Sequence, residues 1–537
     1  MDRKGQALIV AYTVITVFII IVGALTSSSL TQKNAALRNK YLNEAFSLSE
    51  GAIEYGIANF TNAIANYVID ANISSYNVNS TFTTFGSSNI TIQVNFTSMQ
   101  ASDTTITEGQ TYIKTRNYLI NATAVHPQDP SITVTIHQII ARRLIPTFQH
   151  AVFYNDDLEI LPGANMNLSG RIHCNQDMYL DSDGATLKIN STYVHSAGNI
   201  YNQRKDTGAE LSGEVSIRIN KTGSAKYENM DNLDCDSANW TTESTDLWNG
   251  SVQSAVHGVT KLSAPAVASI QAGGYYSSQA GCVITNDQAI VNGTTLVNGV
   301  NCPNNTITNS STLYNTREGE YIKTTNIDIG KLANLDNEVN ATGIAYPNYL
   351  PSNGLIYATR NDASASQEEA IRLINADQIE RTAGLTIVSD KAVYVQGDFN
   401  IVSEKPASII CDSINLLSNS WNDTNSKNWS KRSTTATIYN CAFIAGVDTT
   451  TSANYNGGLE NYPRLLENWA GTSLTIKGSF VELWNSSQAT GKWVYGNPQY
   501  SAPTRNWSYN TMYNDPTKLP PFTPWAVEAR RIAWWKD

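Results

Sequence analysis

The chain has 537 residues, 41% of them hydrophobic and only 15% charged, with a formal net charge of −10. That balance excludes a basic nucleic-acid-binding surface, and the length exceeds one ordinary core, so two or three domains are expected. Six cysteines with no C-x-x-C pair exclude zinc-ribbon and thioredoxin-like motifs.

The first predicted element is the uncharged run Ala7–Leu25. Its 19 residues make about 28 Å of helix, the thickness of a bilayer's hydrocarbon layer. A secretory signal has a shorter apolar core and a small-residue cleavage site, so a spanning helix is favoured over it. Arg3 and Lys4 precede the run, keep the N-terminus cytoplasmic and send the rest of the chain outward. Beyond it, Leu30, Leu37, Tyr41, Ala45, Phe46, Ile53, Ile57 and Phe60 follow helical spacing, and the first proline is Pro127. The reading is one helix to about Val68, roughly 90 Å long, lipid-embedded over 7–25 and packed on a domain further on. The alternative is an anchor followed by a separate juxtamembrane helix.

The period then changes to two. Asn89–Thr97, Tyr118–Val125 and Ser131–Ile140 alternate apolar and polar residues and are predicted as half-buried strands, with "HPQDP" at 126–130 as a turn. Next, "IHCNQDMY" (172–179) recurs as "VHSAGNIY" (194–201), repeating His173 at His195 and Tyr179 at Tyr201. A period near 20 residues with short strands indicates stacked coils. Leu385–Ile401, Ala407–Ser418, Ala436–Gly446 and Ser473–Trp484 read as later coils of the same stack, whereas 209–365 is turn-rich. Ser366–Ala376 reads as a short helix with Ser366 as N-cap and Glu369 closing a capping box. The expected class is α+β, mainly β: a long N-terminal helix, a small antiparallel sheet, then a right-handed parallel β-helix-like solenoid. The boundaries are 1–5 leader, 6–68 stem, 69–146 sheet, 147–400 solenoid with irregular insertions, and 401–537 later coils with a Trp-rich cap.

Disulfides can form outside the cytoplasm. Sequence proximity favours Cys282–Cys302, then Cys411–Cys441 and Cys174–Cys235, with Cys411 alternatively a buried free thiol. Nine of eleven tryptophans lie at or after Trp421. Either Trp493, Tyr500, Trp507 and Tyr509 form a ligand-contacting face, or the aromatics cover the open end of the stack. Metalloprotease, nucleophile-elbow, P-loop and dinucleotide motifs are all missing from the sequence. The carboxylates available to a tethered β-helix polysaccharide enzyme would be Asp177, Asp181 and Asp183, but "DSDG" is equally a turn that holds at most a weak calcium. No enzyme, cofactor or metal is expected, and His173 and His195 are expected to stack. Asn-x-Ser/Thr sequons such as Asn59–Thr61 are attributed to Asn- and Thr-rich composition.

The start of the chain, "MDRKG" followed by "QALIV" and a long apolar helix, resembles a type IV prepilin. "AFSLSEGAIEYGI" (45–57) resembles the end of the PilX-type minor-pilin helix. "LEILPGANMNLSGRIHCNQDMYL", "YVQGDFNI" and "KPASIICDSINLLSNSWND" are similar to bodies carried behind such stems. The resemblance implies cleavage after Gly5 by a prepilin peptidase and methylation of Gln6. It implies residence in a bacterial inner membrane, then a pilus or cell surface, with other pilins as partners through the helix and a surface carbohydrate or protein as possible ligand. Val10 occupies the position where major pilins carry a glutamate. A subunit lacking that carboxylate cannot pair with a preceding subunit's amine, which suits a tip position; a tolerated substitution is the alternative.

Overall fold

The computed structural model describes residues 3–83, 89–362 and 367–537. Helix α1 (Arg3–Ala65) is continuous over 63 residues, as a proline-free stretch permits. Strands β1 (Ser75–Thr83), β2 (Asn89–Ser98), β3 (Thr104–Glu108), β4 (Thr111–His126) and β5 (Asp129–Pro146) form an antiparallel sheet. Three of these contain the predicted segments, and the tight turn between β4 and β5 falls at Pro127–Gln128. Alternation along β4 buries Tyr118, Ile120, Ala122 and Ala124 against the helix.

The outer edge of β5 is closed by the far end of the chain. Strand Trp525–Lys536 pairs antiparallel with β5, Trp525 opposite Pro146 and Lys536 opposite Ile136. Buried Arg143 binds Glu528 and Glu108, each at 2.5 Å. Removing one partner of a buried charge leaves donors unsatisfied. Glu528→Ala is therefore expected to cost about 2 kcal/mol, read as a lowered thermal midpoint of the detergent-solubilised chain, with Glu528→Gln losing less.

Beyond β5 the chain enters ladders of short parallel strands. Val152 pairs with Ile172, and Ile172 with Val194, steps of 20 and 22 residues. The predicted repeat holds in register: His173 pairs with His195, and Tyr179 with Tyr201, whose rings stack at 5.2 Å. A second set alternates between two ladders. Leu355–Thr359, Leu385–Val388, Ala407–Cys411, Thr437–Ala445 and Ser473–Glu482 lie in one. Glu369–Ile374, Ala392–Gln396, Ile414–Leu417 and Arg464–Leu465 lie in the other. These later strands do not extend the first series outward. Instead Ser473–Glu482 lies beside Val152–Tyr154, with Phe480 opposite Val152 and Glu482 opposite Tyr154, so the last strand of the second series meets the first strand of the first. One apolar cluster runs through both.

Two expectations are corrected. Residues 369–374 form a strand, because Ala370, Ile371 and Leu373 are buried in ladder register with Ala392, Val393 and Val395; tertiary pairing overrides local helix propensity. Ser366 lies outside the described residues. All six cysteines are unpaired thiols. Cys411 sits opposite Ala445 and Ser408 opposite Ala442, which puts Cys441 four positions out of register with Cys411, beyond disulfide reach. The Cys174 thiol donates to the Asp156 carbonyl at 3.1 Å, Cys235 accepts from the Ile200 N–H at 3.1 Å, and Cys282 and Cys302 are buried among apolar neighbours.

Candidate functional site

The helix divides into a bare part and a packed part. Residues 3–40 are exposed throughout, a projection of about 57 Å. Within it lie Gly5, Gln6 and the uncharged span, whose hydropathy and length qualify it as a candidate membrane span. Val10 is 62% exposed. Its exposed apolar surface is of the kind that suits a membrane span.

From Tyr41 onward the helix is locked down. Tyr41 stacks on His126 at 4.2 Å, and His126 Nε2 lies 2.8 Å from Glu44. Ser49, fully buried, donates to the Val134 carbonyl at 3.0 Å and accepts from the Ala124 N–H at 3.1 Å, bridging helix and sheet. Gly56 lets the helix approach β2: a Cβ there would sit 2.8 Å from Val94. Phe60 packs on Phe96 and Tyr118.

Past the end of the helix, Tyr67 adopts a positive φ of 58° and stacks on Tyr275 at 3.6 Å. Ser263 donates to Thr61 at 3.1 Å and the Ala266 N–H to Asn66 at 2.8 Å. Together with the returning C-terminal strand, these contacts fasten the stem to the body at both its helix end and its sheet edge. Neither the Tyr67–Tyr275 stack nor the closure of β5 carried a sequence signal, since both join positions hundreds of residues apart.

The other predicted site residues are dispersed. Tyr500 and Trp507 are buried, 2% and 6% exposed, within the main core. Trp493 is half-buried and donates to the Tyr500 hydroxyl at 3.0 Å, while Tyr509 is half-buried against Asn514. The proposed aromatic face is therefore corrected: two of its four members fill the core, because their large apolar area is better placed there. The tryptophans do not form one cap either. Trp469 and Trp507 belong to the main core, Trp484 to the junction with the stem sheet, and Trp421 to a separate cluster. The exposed ones are Trp534 and Trp535, on the C-terminal strand.

Asp177 accepts from the Asn199 N–H at 2.7 Å, and buried Asp181 accepts from Ser182 and Leu211 at 2.7 and 2.8 Å. Both tie neighbouring turns together. Asp183 is exposed. Among the described residues no group of three or more metal-ligating side chains converges. Open clefts of about 840 and 620 Å³ flank the 229–232 tongue and are lined mainly by Asn, Asp and Glu.

Beside Glu368, which burial and the neighbouring Glu318 carboxylate push up to about 8, the most perturbed carboxyls are three that motif reading passed over. Burial pushes Glu482 up to about 8 and Glu460 and Glu467 up to about 7. Each holds a turn: Glu482 accepts from the N–H groups of Asn155 and Asp156, Glu460 from Leu161, and Glu467 from Ser418. For Glu482 and Glu467 the signal was a lone carboxylate inside the apolar runs "SFVELW" and "RLLENW", whereas Glu460 lies in the polar stretch "GGLENY".

Comparison with family models, with curated proteins and with solved structures returns no match for this chain.

Proposed function

We propose that this chain is a pilin-like filament subunit of the PilX type. The observation that carries the reading is the division of α1: about 57 Å of bare helix, apolar over 7–25, on a stem otherwise fastened to a large body. Such a helix has two suitable environments, a bilayer and a bundle of like helices, and a filament subunit passes from one to the other. Cleavage after Gly5 by a prepilin peptidase places Gln6 at the new N-terminus. Val10 removes the carboxylate that would pair with a preceding subunit's amine, and the wide body crowds a shaft, so the subunit occupies the filament tip.

The body is a β-solenoid in this reading, supported by in-register parallel strands at steps of 20 and 22 residues. It is displayed at the cell surface, where it primes assembly or contacts a carbohydrate or protein. The double attachment of stem and body passes tension on the body into the helix without an intervening hinge.

The test is the mass of the N-terminal peptide from cells with and without a prepilin peptidase. The expected product begins at Gln6, N-methylated, only when the peptidase is present. An N-terminus still carrying residues 1–5 in both samples overturns the reading and leaves a membrane-tethered body.

A further inference from the structure

The sequons exceed what composition produces. The chain has 57 asparagines, and 103 of its 537 residues are Ser or Thr, so random placement yields about 11 Asn-x-Ser/Thr triplets, against 19 present. The structure separates these asparagines from the others. Of the 19, 15 are exposed, four are half-buried and none is buried. Of the remaining 38, only 16 are exposed and nine are buried: Asn175, Asn202, Asn315, Asn326, Asn334, Asn400, Asn415, Asn461 and Asn510. Every buried asparagine thus lacks the hydroxyl two residues on. Composition alone explains neither the excess nor this partition.

Local geometry suits modification. In three sequons the hydroxyl at the third position donates to the asparagine's own Oδ1: Thr342 to Asn340 at 2.7 Å, Thr424 to Asn422 at 2.6 Å and Ser430 to Asn428 at 2.8 Å. In each the Oδ1 is engaged, and Nδ2 makes no hydrogen bond among the described residues. Asn292 lies at φ 47° in the tight turn between Gln288–Val291 and Thr294–Thr295. Asn79, Asn220, Asn239 and Asn506 are exposed. No sequon precedes Asn59, so the bare helix is left clear.

We infer that this chain is N-glycosylated at multiple exposed sequon asparagines on its body and sheet. The co-substrate is a glycan carried as a lipid-linked phosphate or diphosphate ester. The asparagine Nδ2 attacks the anomeric carbon, the C–N bond forms as the C–O bond to phosphate breaks, and the lipid phosphate leaves with the electron pair. The amide proton passes to a base of the transferring enzyme, and nothing is oxidised or reduced. The inference rests on the outward placement of the body in the function proposed above.

The test is peptide mass mapping of full-length protein purified from its native cells, beside the same chain made in a host without lipid-linked glycan transfer. Native peptides bearing Asn79, Asn220, Asn239, Asn292, Asn428 or Asn506 are expected to carry glycan-sized increments that the second sample lacks. Thr222→Ala should lose the increment at Asn220, and Thr222→Ser should keep it. Fragmentation of the peptides should place every increment on a sequon asparagine and none on exposed Asn353 or Asn419, which lack the hydroxyl. Unmodified native peptides throughout, or increments on serine, threonine or non-sequon asparagine, overturn the inference. The same digest reads the N-terminus: a processed Gln6 with an unmodified body rejects glycosylation alone, whereas glycans on an unprocessed chain reject the pilin reading alone.

Discussion

Gly478→Val is expected to abolish folding of the body. Gly478 lies opposite Cys441 in the parallel pair formed by Ser473–Glu482 and Thr437–Ala445. A Cβ at that position would sit 1.8 Å from the Cys441 carbonyl oxygen. The obstacle is backbone in a central strand, not the end of a flexible side chain, so the two strands must separate to admit it. They belong to the junction on which both strand series depend. The loss should reach on the order of 4 kcal/mol, near the upper limit for single substitutions and a large share of a domain's stability. Expression yield and the thermal midpoint of the detergent-solubilised chain measure it. Gly163→Ala is the control: nothing lies within 4 Å of its Cβ, and the change should stay within about 0.5 kcal/mol. Equal behaviour of the two variants would reject the close approach.

Stability should fall between about pH 6.5 and 8. Glu368, Glu460, Glu467 and Glu482 are held as neutral acids by burial, at about 8, 7, 7 and 8 against an ordinary 4.5. Between the ordinary value and the folded one, the unfolded chain has released these protons and the folded chain has kept them, so stability declines as pH rises. The contribution is complete below about pH 4.5 and gone above about 8, with a slope of about 1.4 kcal/mol per pH unit for each group. Buried histidines act in the opposite direction at lower pH. Burial depresses His173 to about 4 and His195 to about 3, and depresses His150 as well. Unfolding takes up their protons below pH 6.5, which offsets most of the carboxyl slope there and leaves pH 6.5–8 as the window of steepest loss. Glu482→Gln keeps an acceptor for the Asn155 and Asp156 N–H groups and should reduce the descending slope by about one group's worth. A thermal midpoint flat between pH 6.5 and 8 in the parent chain would show these carboxyls ionised in the fold.

The sequence read locally was reliable where one element's own periodicity was enough. The proline-free helix, the alternation of β2, β4 and β5, and the pairing of His173 with His195 and Tyr179 with Tyr201 are set by spacings of two, three to four, and about twenty residues. Each is a repetition of side chains along one direction, and a pattern along the chain records it. The strand at 369–374 was misread as helix because "EEAIRL" suits a helix alone, and the ladder partners that bury it lie at 392–395. The cysteine pairings failed for a related reason. Closeness in sequence does not set register, and register determines whether two sulfurs can meet.

By itself, then, the sequence determined the long apolar helix and the strand-rich body, which are properties of composition and short-range order. Only the tertiary structure decided that the C-terminal strand closes the stem sheet and that the last strand of the second series lies beside the first strand of the first. It likewise decided that Tyr500 and Trp507 fill the core and that sequon asparagines stay at the surface. These are matters of which surfaces are buried together. Burial depends on area shared between segments far apart in the chain, and that area exists only once the fold has brought them into contact.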